Sequence, residues 1–362
     1  MGEHRLGRSR TALLVLALVC GSALVAVSPL TAAERNSYTV TPLVSDQSGL
    51  APHTDTNLVN AWGLTAGPVT GSNPAGTPWW VSDNGTDRST LYEGTGAPRP
   101  LVVTVEGGPT GAVFNLTSGF ALPTGGKAMF LFASEDGAIR AWNPAQGTTA
   151  IVVKDRSDVD AIYKGLAIAD TDAGPRLYAA DFHNARVDVF DTSFDVVDVG
   201  SFSDPSLPHG YAPFGIQTIG DRIFVSYAKQ DAAAEDELAG QGRGFVDAYD
   251  TSGNLLGRVA QHGQLNAPWG LALAPASFGR FGGDLLVGNF GDGQINAYEE
   301  LANGHFAHRG ELRGSDGKPL AIDGLWALEF GTGGVAGPAG TLFFTAGPDE
   351  ETHGLFGTIS AD

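Results

Sequence analysis

One repeat constrains this chain more than anything else in it. A glycine followed by an apolar residue opens a short apolar run six times, at Gly63-Leu64, Gly119-Phe120, Gly165-Leu166, Gly215-Ile216, Gly270-Leu271 and Gly324-Leu325, with gaps of 46 to 56 residues. A second run follows each: Trp79 to Asp83, Met129 to Ser134, Leu177 to Asp181, Ile223 to Tyr227, Leu285 to Asn289, and Leu342 to Ala346. A third run closes on an aromatic, at Tyr92, Trp142, Phe190, Tyr249, Tyr298 and Phe356. Five copies add a fourth run: Leu101 to Val105, Ala150 to Val153, Val196 to Val199, Leu255 to Val259, and Phe306 to Leu312. Short β-branched and aromatic runs punctuated by Gly, Pro, Asn and Asp read as strands, and no segment sustains a 3.6-residue period. A unit that recurs at this spacing buries its apolar face by stacking on its neighbours. The expected fold is therefore all-β, a six-bladed β-propeller of four-stranded blades. The sixth copy lacks a fourth run. Tyr38 to Val44, which alternates like a strand ahead of the first copy, is the expected donor; as an N-terminal closing strand it would complete the ring and cover an exposed sheet edge.

Residues 1–33 stand outside this pattern. Arg5, Arg8 and Arg10 precede an Ala, Leu and Val-rich run from Thr11 to Val27, and Thr31-Ala32-Ala33 supplies small residues. That order is expected to be a signal peptide cleaved after Ala33. The other reading is a membrane anchor, for which the run of 17 residues, followed at once by Pro29, is at the short end of what spans a bilayer. The expected organisation is a signal peptide over 1–33 and a single propeller domain over 34–362, secreted, monomeric and free of the membrane after cleavage. Cys20, the only cysteine, lies in the leader, so the exported part could form no disulfide and use no thiolate. The formal charge of −19 becomes −21 without the leader. Such a surface excludes generic binding to nucleic acid or anionic lipid, which needs basic patches.

The third copy, Asp181-Phe182-His183-Asn184-Ala185-Arg186-Val187-Asp188-Val189-Phe190-Asp191, resembles an NHL-type propeller repeat. With Asn57-Leu58-Val59-Asn60-Ala61-Trp62-Gly63-Leu64, Trp80-Val81-Ser82-Asp83-Asn84-Gly85 and Asn266-Ala267-Pro268-Trp269-Gly270-Leu271, the chain beyond the leader resembles a family of uncharacterised secreted bacterial six-bladed propellers. That resemblance implies the fold and export and carries no established reaction. Some of those proteins end in a hydrophobic sorting tail, which Gly357-Thr358-Ile359-Ser360-Ala361-Asp362 does not match.

Propeller geometry concentrates candidate residues at one mouth of the central channel, where chain enters each innermost strand and where second strands hand over to third strands. Three groups are expected there. Aromatics beside the repeat glycines (Trp62, Tyr163, Phe214, Trp269, and Trp326 in the last copy) would either stack a flat ligand or pack blade on blade. Asn60, Trp62, Tyr163, Phe214 and Trp269 are the expected ligand-binding set. Carboxylates and amides (Asn60, Asp83, Asn84, Glu135, Asp136, Asp181, Asn266, Asn289 and Asp323) would either supply oxygens to a divalent cation such as calcium or brace their own turns. Asp83, Asp181, Asn266, Asn289 and Asp323 are the candidate metal ligands. Of the histidines, His53, His183, His209, His262 and His353 fall on this face, and His183 with Asp181 would be the candidate catalytic pair. Gln230 to Gly244, carrying Asp231, Glu235, Asp236 and Glu237, lengthens a connection of the fourth copy and reads either as a lid with a helical Ala-rich middle or as a disordered acidic insertion.

There is no phosphate-binding loop: Gly240-Gln241-Gly242-Arg243-Gly244 lacks the spacing and the terminal Lys-Ser/Thr. A nucleophile-elbow serine is also missing. The leading expectation is an extracellular binding or scaffold module for a small molecule, glycan or protein at the channel mouth. The alternative is a metal-dependent hydrolase or lactonase of the similar-looking gluconolactonase class. A lyase for acidic polysaccharide ranks third, since the negative charge would repel it.

Overall fold

The computed structural model describes residues 1–2 and 36–362; the leader proposed for 1–33 lies outside the described residues apart from its first two. From Tyr38 onward the chain is strands and short turns arranged as six sheets, antiparallel except where the short strand His53–Thr54 pairs in parallel with Val44 and Ser45. Blade 1 holds Ala61–Thr65, Trp79–Asp83, Arg88–Tyr92 and Val103–Thr104. Blade 2 holds Pro109–Phe114, Phe130–Ser134, Ala138–Trp142 and Ile151–Asp155. Blade 3 holds Tyr163–Ala169, Arg176–Asp181 and Arg186–Phe190, and its fourth run contributes only a bridge between Phe190 and Val196. Blade 4 is Tyr211–Ile219, Arg222–Lys229, Phe245–Asp250 and Leu255–Gln261; blade 5 is Pro268–Leu273, Leu285–Asn289, Ile295–Glu300 and Phe306–Glu311. Blade 6 takes Leu325–Phe330, Leu342–Ala346 and Leu355–Ala361 from the end of the chain, and Tyr38–Ser45 pairs antiparallel with the last of these, Tyr38 opposite Ala361.

Burial falls from axis to rim. Second strands such as Trp79–Asp83 are buried at every position, whereas the fourth strand Ile151–Asp155 is partly or fully exposed throughout. Strands covered on both faces read as unbroken apolar runs, and rim strands do not.

The repeat glycines have a single physical cause. Each innermost strand carries a β-bulge at the same place, between Ala61 and Leu64, Pro109 and Ala112, Tyr163 and Gly165, Pro213 and Ile216, Pro268 and Gly270, and Leu325 and Leu328. There the backbone of the next blade comes so close that a Cβ would overlap it. A methyl on Gly63 would sit 2.3 Å from the Thr110 carbonyl oxygen, and one on Gly215 would sit 2.0 Å from that of Trp269. This fixes two registers differently from the sequence expectation. Blade 2 uses Gly111-Ala112, not Gly119-Phe120, and in blade 6 the equivalent position is Ala327, not Gly324. Ile359 rather than Phe356 likewise holds the aromatic-type position of the sixth third strand, opposite Leu342. Thr345 Oγ1 of blade 6 donates to the Trp62 carbonyl of blade 1, joining the last blade to the first.

Candidate functional site

A bulge re-aims the side chain beside it. The residues just before the six equivalent positions are Trp62, Thr110, Lys164, Phe214, Trp269 and Trp326. Four of these are aromatic and meet on the axis. Trp62 stacks on Trp326 with ring centroids 3.5 Å apart, while Phe214 and Trp269 meet Trp62 edge-on at 6.4 and 6.1 Å. Phe290 stacks on the far side of Trp326 at 4.1 Å. The cluster is buried and fills the channel. Below it the channel retains a cavity of about 30 Å³, close to the volume of one water molecule. Trp62, Phe214 and Trp269 therefore converge as expected, but as a plug whose faces cover one another.

Tyr163 does not join them. Successive residues of a strand face opposite sides, so with Lys164 turned to the axis Tyr163 points into the packing between blades 2 and 3, where its hydroxyl donates to Asp188 at 2.8 Å. Lys164 takes the channel position. Its side chain is 2% exposed, and its Nζ lies 5.3 Å from the centre of the Trp62 ring.

A polar layer roofs the plug. Trp326 Nε1 donates to Asn60 Oδ1 at 3.0 Å; Asn60 Nδ2 donates to Asn84 Oδ1 at 3.2 Å and to Glu351 Oε2 at 2.6 Å. Asn84 Nδ2 donates to Glu135 Oε2 at 2.8 Å, and Lys164 Nζ donates to Glu135 at 2.5 Å and to Asp236 at 3.2 Å. One connected network thus links side chains of blades 1, 2, 3, 4 and 6. Burial pulls the Lys164 ammonium down, but Glu135, Glu237 and Asp236 outweigh it and hold it above its ordinary value. Burial pushes Glu237 up to about 8 against the pull of Lys164. Glu351 is raised as well, by burial, with the Asn60 hydrogen bond opposing.

Backbone strain delivers Glu351. Asp349, Glu350 and Glu351 have φ of 57°, 54° and 65°, three consecutive left-handed residues without a glycine. Each such residue costs roughly 1–2 kcal/mol, and strain of this kind collects where a side chain must be held in place. Gly347 is small for the same purpose: a Cβ there would lie 2.3 Å from Asn60 Oδ1.

Beside this network a cavity of about 340 Å³ opens between blades 2 and 3 and the long blade 4 loop. It is lined by Glu135, Asp136, Asp160, Ile162, His183 and Glu235 among others. Arg140 fixes Asp136 through two bonds of 2.9 and 2.6 Å. His183 Nδ1 is buried without a hydrogen-bond partner. The loop from Gln230 to Gly244 is neither helical nor loose: Gln230 bridges Glu237, Asp231 accepts from the Glu235 amide at 3.0 Å, and Gln230 Nε2 donates to the Phe182 carbonyl at 2.6 Å.

The candidate metal ligands are dispersed. Asp83 is buried near Thr90, and burial raises it well above the carboxylate range. Asp181 accepts from the Ile162 and Asn184 amides and from Asn184 Nδ2 and pairs with Arg186 at 3.3 Å, bracing its own hairpin. Burial is the main influence raising it. Asn266 and Asn289 both donate to Asp292, and Asp323 accepts from the Asp349 amide. Among the described residues no three His, Cys, Asp or Glu side chains group as a metal site. The histidines are spread as well: His353 bonds Asp46 at 2.7 Å and His262 the Gly242 carbonyl at 3.0 Å. Lys164 and Glu351 were not anticipated. Lys164 is legible once the residue before each bulge glycine is aligned, since it stands where Trp62 and Trp269 stand.

No family model matches the chain. Two uncharacterized proteins of Acanthamoeba polyphaga mimivirus do. R648 is 32% identical over 349 residues, covering 90% of this chain and 81% of its own length. L690 is 32% identical over 351 residues, covering 90% and 86%. Among solved structures, virginiamycin B lyase from Staphylococcus aureus aligns at a TM-score of 0.50 with 13% identity, over 90% of this chain and 99% of that one. A regucalcin of Agrobacterium tumefaciens, described as a calcium-binding protein, aligns at 0.50 with 14% identity, over 83% and 90%. At those identities the two structures speak for the fold alone. The curated relatives are viral where the resemblance pointed to bacteria, and this chain belongs to the same propeller family as the mimivirus proteins.

Proposed function

We propose that the chain is a binding module that holds a small polar ligand, a neutral sugar or the end of a glycan, in the mouth cavity between blades 2 and 3 and the blade 4 loop, which meets the Lys164 network at Glu135. The observation that carries this is the buried Lys164, compensated by Glu135 and Asp236 and roofed by a network that spans five blades. Rigid, pre-ordered polar groups lower the entropy lost when a ligand binds. Carboxylates at Glu135, Asp136, Asp160 and Glu235 accept hydrogen bonds from hydroxyls and repel polyanions. In this reading Asn60, Trp62, Phe214 and Trp269 are the bed that holds the site, and Tyr163 supports it from the blade interior.

Export, proposed from residues 5–33, would place this site outside the cell, and N-terminal sequencing of protein recovered from a culture medium tests it. The site is tested by titrating the protein with a panel of neutral oligosaccharides while following tryptophan fluorescence. Saturable quenching by one member, weakened at least tenfold in His183→Ala and Glu235→Gln, is expected. A silent panel, or a ligand both variants bind like the parent, would overturn the reading. Elemental analysis decides the alternative of a metal-dependent hydrolase or lactonase: a stoichiometric divalent cation whose chelation lowers the melting temperature would favour it.

A further inference from the structure

The opposite mouth carries a second cavity that the site above does not use. Blade 6 sends Glu329 from its innermost strand to the channel floor on that side, where it lines both the small channel cavity and a cavity of about 310 Å³. The larger cavity is walled by Ala66, Pro68, Val113, Phe114, Leu116 and Ile168, with Leu116 61% exposed. It continues into a neighbouring cavity of about 710 Å³ through the shared residues Phe114, Leu116, Ile168 and Thr218. Volumes of a few hundred cubic ångströms are those of small-molecule sites.

Among the described residues no cation pairs with Glu329. Its one hydrogen bond is to Gln217 Nε2 at 3.5 Å, and burial pushes its carboxyl up to about 7, with Gln217 the sole opposing influence. The hydroxyls of Thr218 and Thr332, which line the same cavity, are buried without hydrogen-bond partners among the described residues. A carboxyl in an apolar recess with unfilled donors and acceptors around it is a receptor for a charged group that brings its own hydrogens. The outer cavity adds Asp170, Asp172 and Asp221 to its wall. A carboxyl at the inner end, an apolar corridor and an acidic outer rim together ask for positive charge at two ends of an aliphatic chain.

We propose that this face binds a linear aliphatic polyamine, one ammonium meeting Glu329, the methylenes lying along Phe114, Leu116 and Ile168, and a second ammonium meeting the Asp170–Asp221 rim. The acidic surface draws any cation towards the protein, so the test must separate the cavity from the general field. Isothermal titration of the protein in 150 mM salt would use spermidine as probe, with butylamine and magnesium as controls for chain length and charge. One saturable site for spermidine is expected, with butylamine weaker and magnesium failing to compete at equal charge. Glu329→Gln, which keeps the side chain's shape, and the exposed Leu116→Ser should each weaken spermidine at least fivefold while melting like the parent. Absence of a saturable site, affinity unchanged in both variants, or full competition by magnesium would overturn the assignment.

Discussion

Gly215→Ala isolates the geometry that sets the blade spacing. The added carbon would lie 2.0 Å from the Trp269 carbonyl oxygen and 2.8 Å from Ser226 Oγ. A carbon normally approaches such an oxygen to about 3.3 Å, so the innermost strands of blades 4 and 5 must separate by about 1.3 Å. The flanking blades are also in close approach, since a Cβ on Gly165 would lie 2.8 Å from the Phe214 carbonyl oxygen and one on Gly270 would lie 2.6 Å from that of Trp326, so the displaced strands have little free space to move into. Overpacking a fitted interior costs about 1–3 kcal/mol, and more when backbone must move; about 4 kcal/mol is reasonable here. Stiffening the unfolded chain returns roughly 0.5–1 kcal/mol, leaving a net loss of about 3 kcal/mol. At about 2.1 cal/mol/K of unfolding entropy per residue, a propeller of roughly 330 residues should melt about 4–5 °C lower. Gly257→Ala is the matched control: it lies in the fourth strand of the same blade with nothing within 4 Å of its would-be Cβ, and should melt within about 1 °C of the parent. Calorimetry and urea titration read both. Equal melting of Gly215→Ala and the parent, or equal losses in the two variants, would refute the close-approach account.

Three further outcomes are expected. Lys164→Met removes the buried cation from Glu135 and Asp236 and should cost about 3 kcal/mol by urea titration; a variant as stable as the parent would contradict the assignment. Glu237, whose carboxyl is pushed from the ordinary 4.5 to about 8, keeps its proton in the folded state, so its contribution is intact below pH 4.5 and is lost as pH rises towards 8. Glu237→Gln should therefore leave stability unchanged at pH 4.5 and gain about 2 kcal/mol at pH 8.5, taking less than half of the full 1.36 kcal/mol per unit because the side chain is partly exposed; a gain that does not vary with pH would count against it. Deleting Tyr38–Ser45 removes the strand paired with Leu355–Ala361 and the buried Tyr38 and Val44, so melting should fall by several degrees with increased aggregation, and a parent-like melt with full solubility would show the pairing to be dispensable.

The blade count was legible because the glycine beside five of the six bulges and the aromatic ending most third strands are both forced by packing. Register failed where packing allowed a substitute. Gly119-Phe120 imitates the motif, while the true blade 2 strand shows the weaker Gly111-Ala112, and blade 6 accepts Ala327 at the crowded position. At the mouth, Asn60, Asn84 and Glu135 could be anticipated from their place in the repeat. Lys164 carries no such signal, because three of the other five equivalents are tryptophan and nothing apolar marks it. Glu351 had no local signature: three successive left-handed residues spelled Asp-Glu-Glu contradict intrinsic preference and are imposed by the surrounding contacts. Metal ligands are hard to read from this sequence because Asp and Asn are also the residues that brace turns, as Asp181 does for Asn184.

The aromatic plug makes the ring a partition. With Trp62 and Trp326 stacked and Phe214 and Trp269 packed edge-on to Trp62 across the axis, above a channel cavity of only about 30 Å³, packed side chains separate one mouth from the other. Ligands on opposite faces would then obey independent mass action, each occupancy set by its own concentration, unless strain in the shared innermost strands couples them. A propeller divided in this way can serve as a two-sided connector, presenting one chemistry to each of two surroundings.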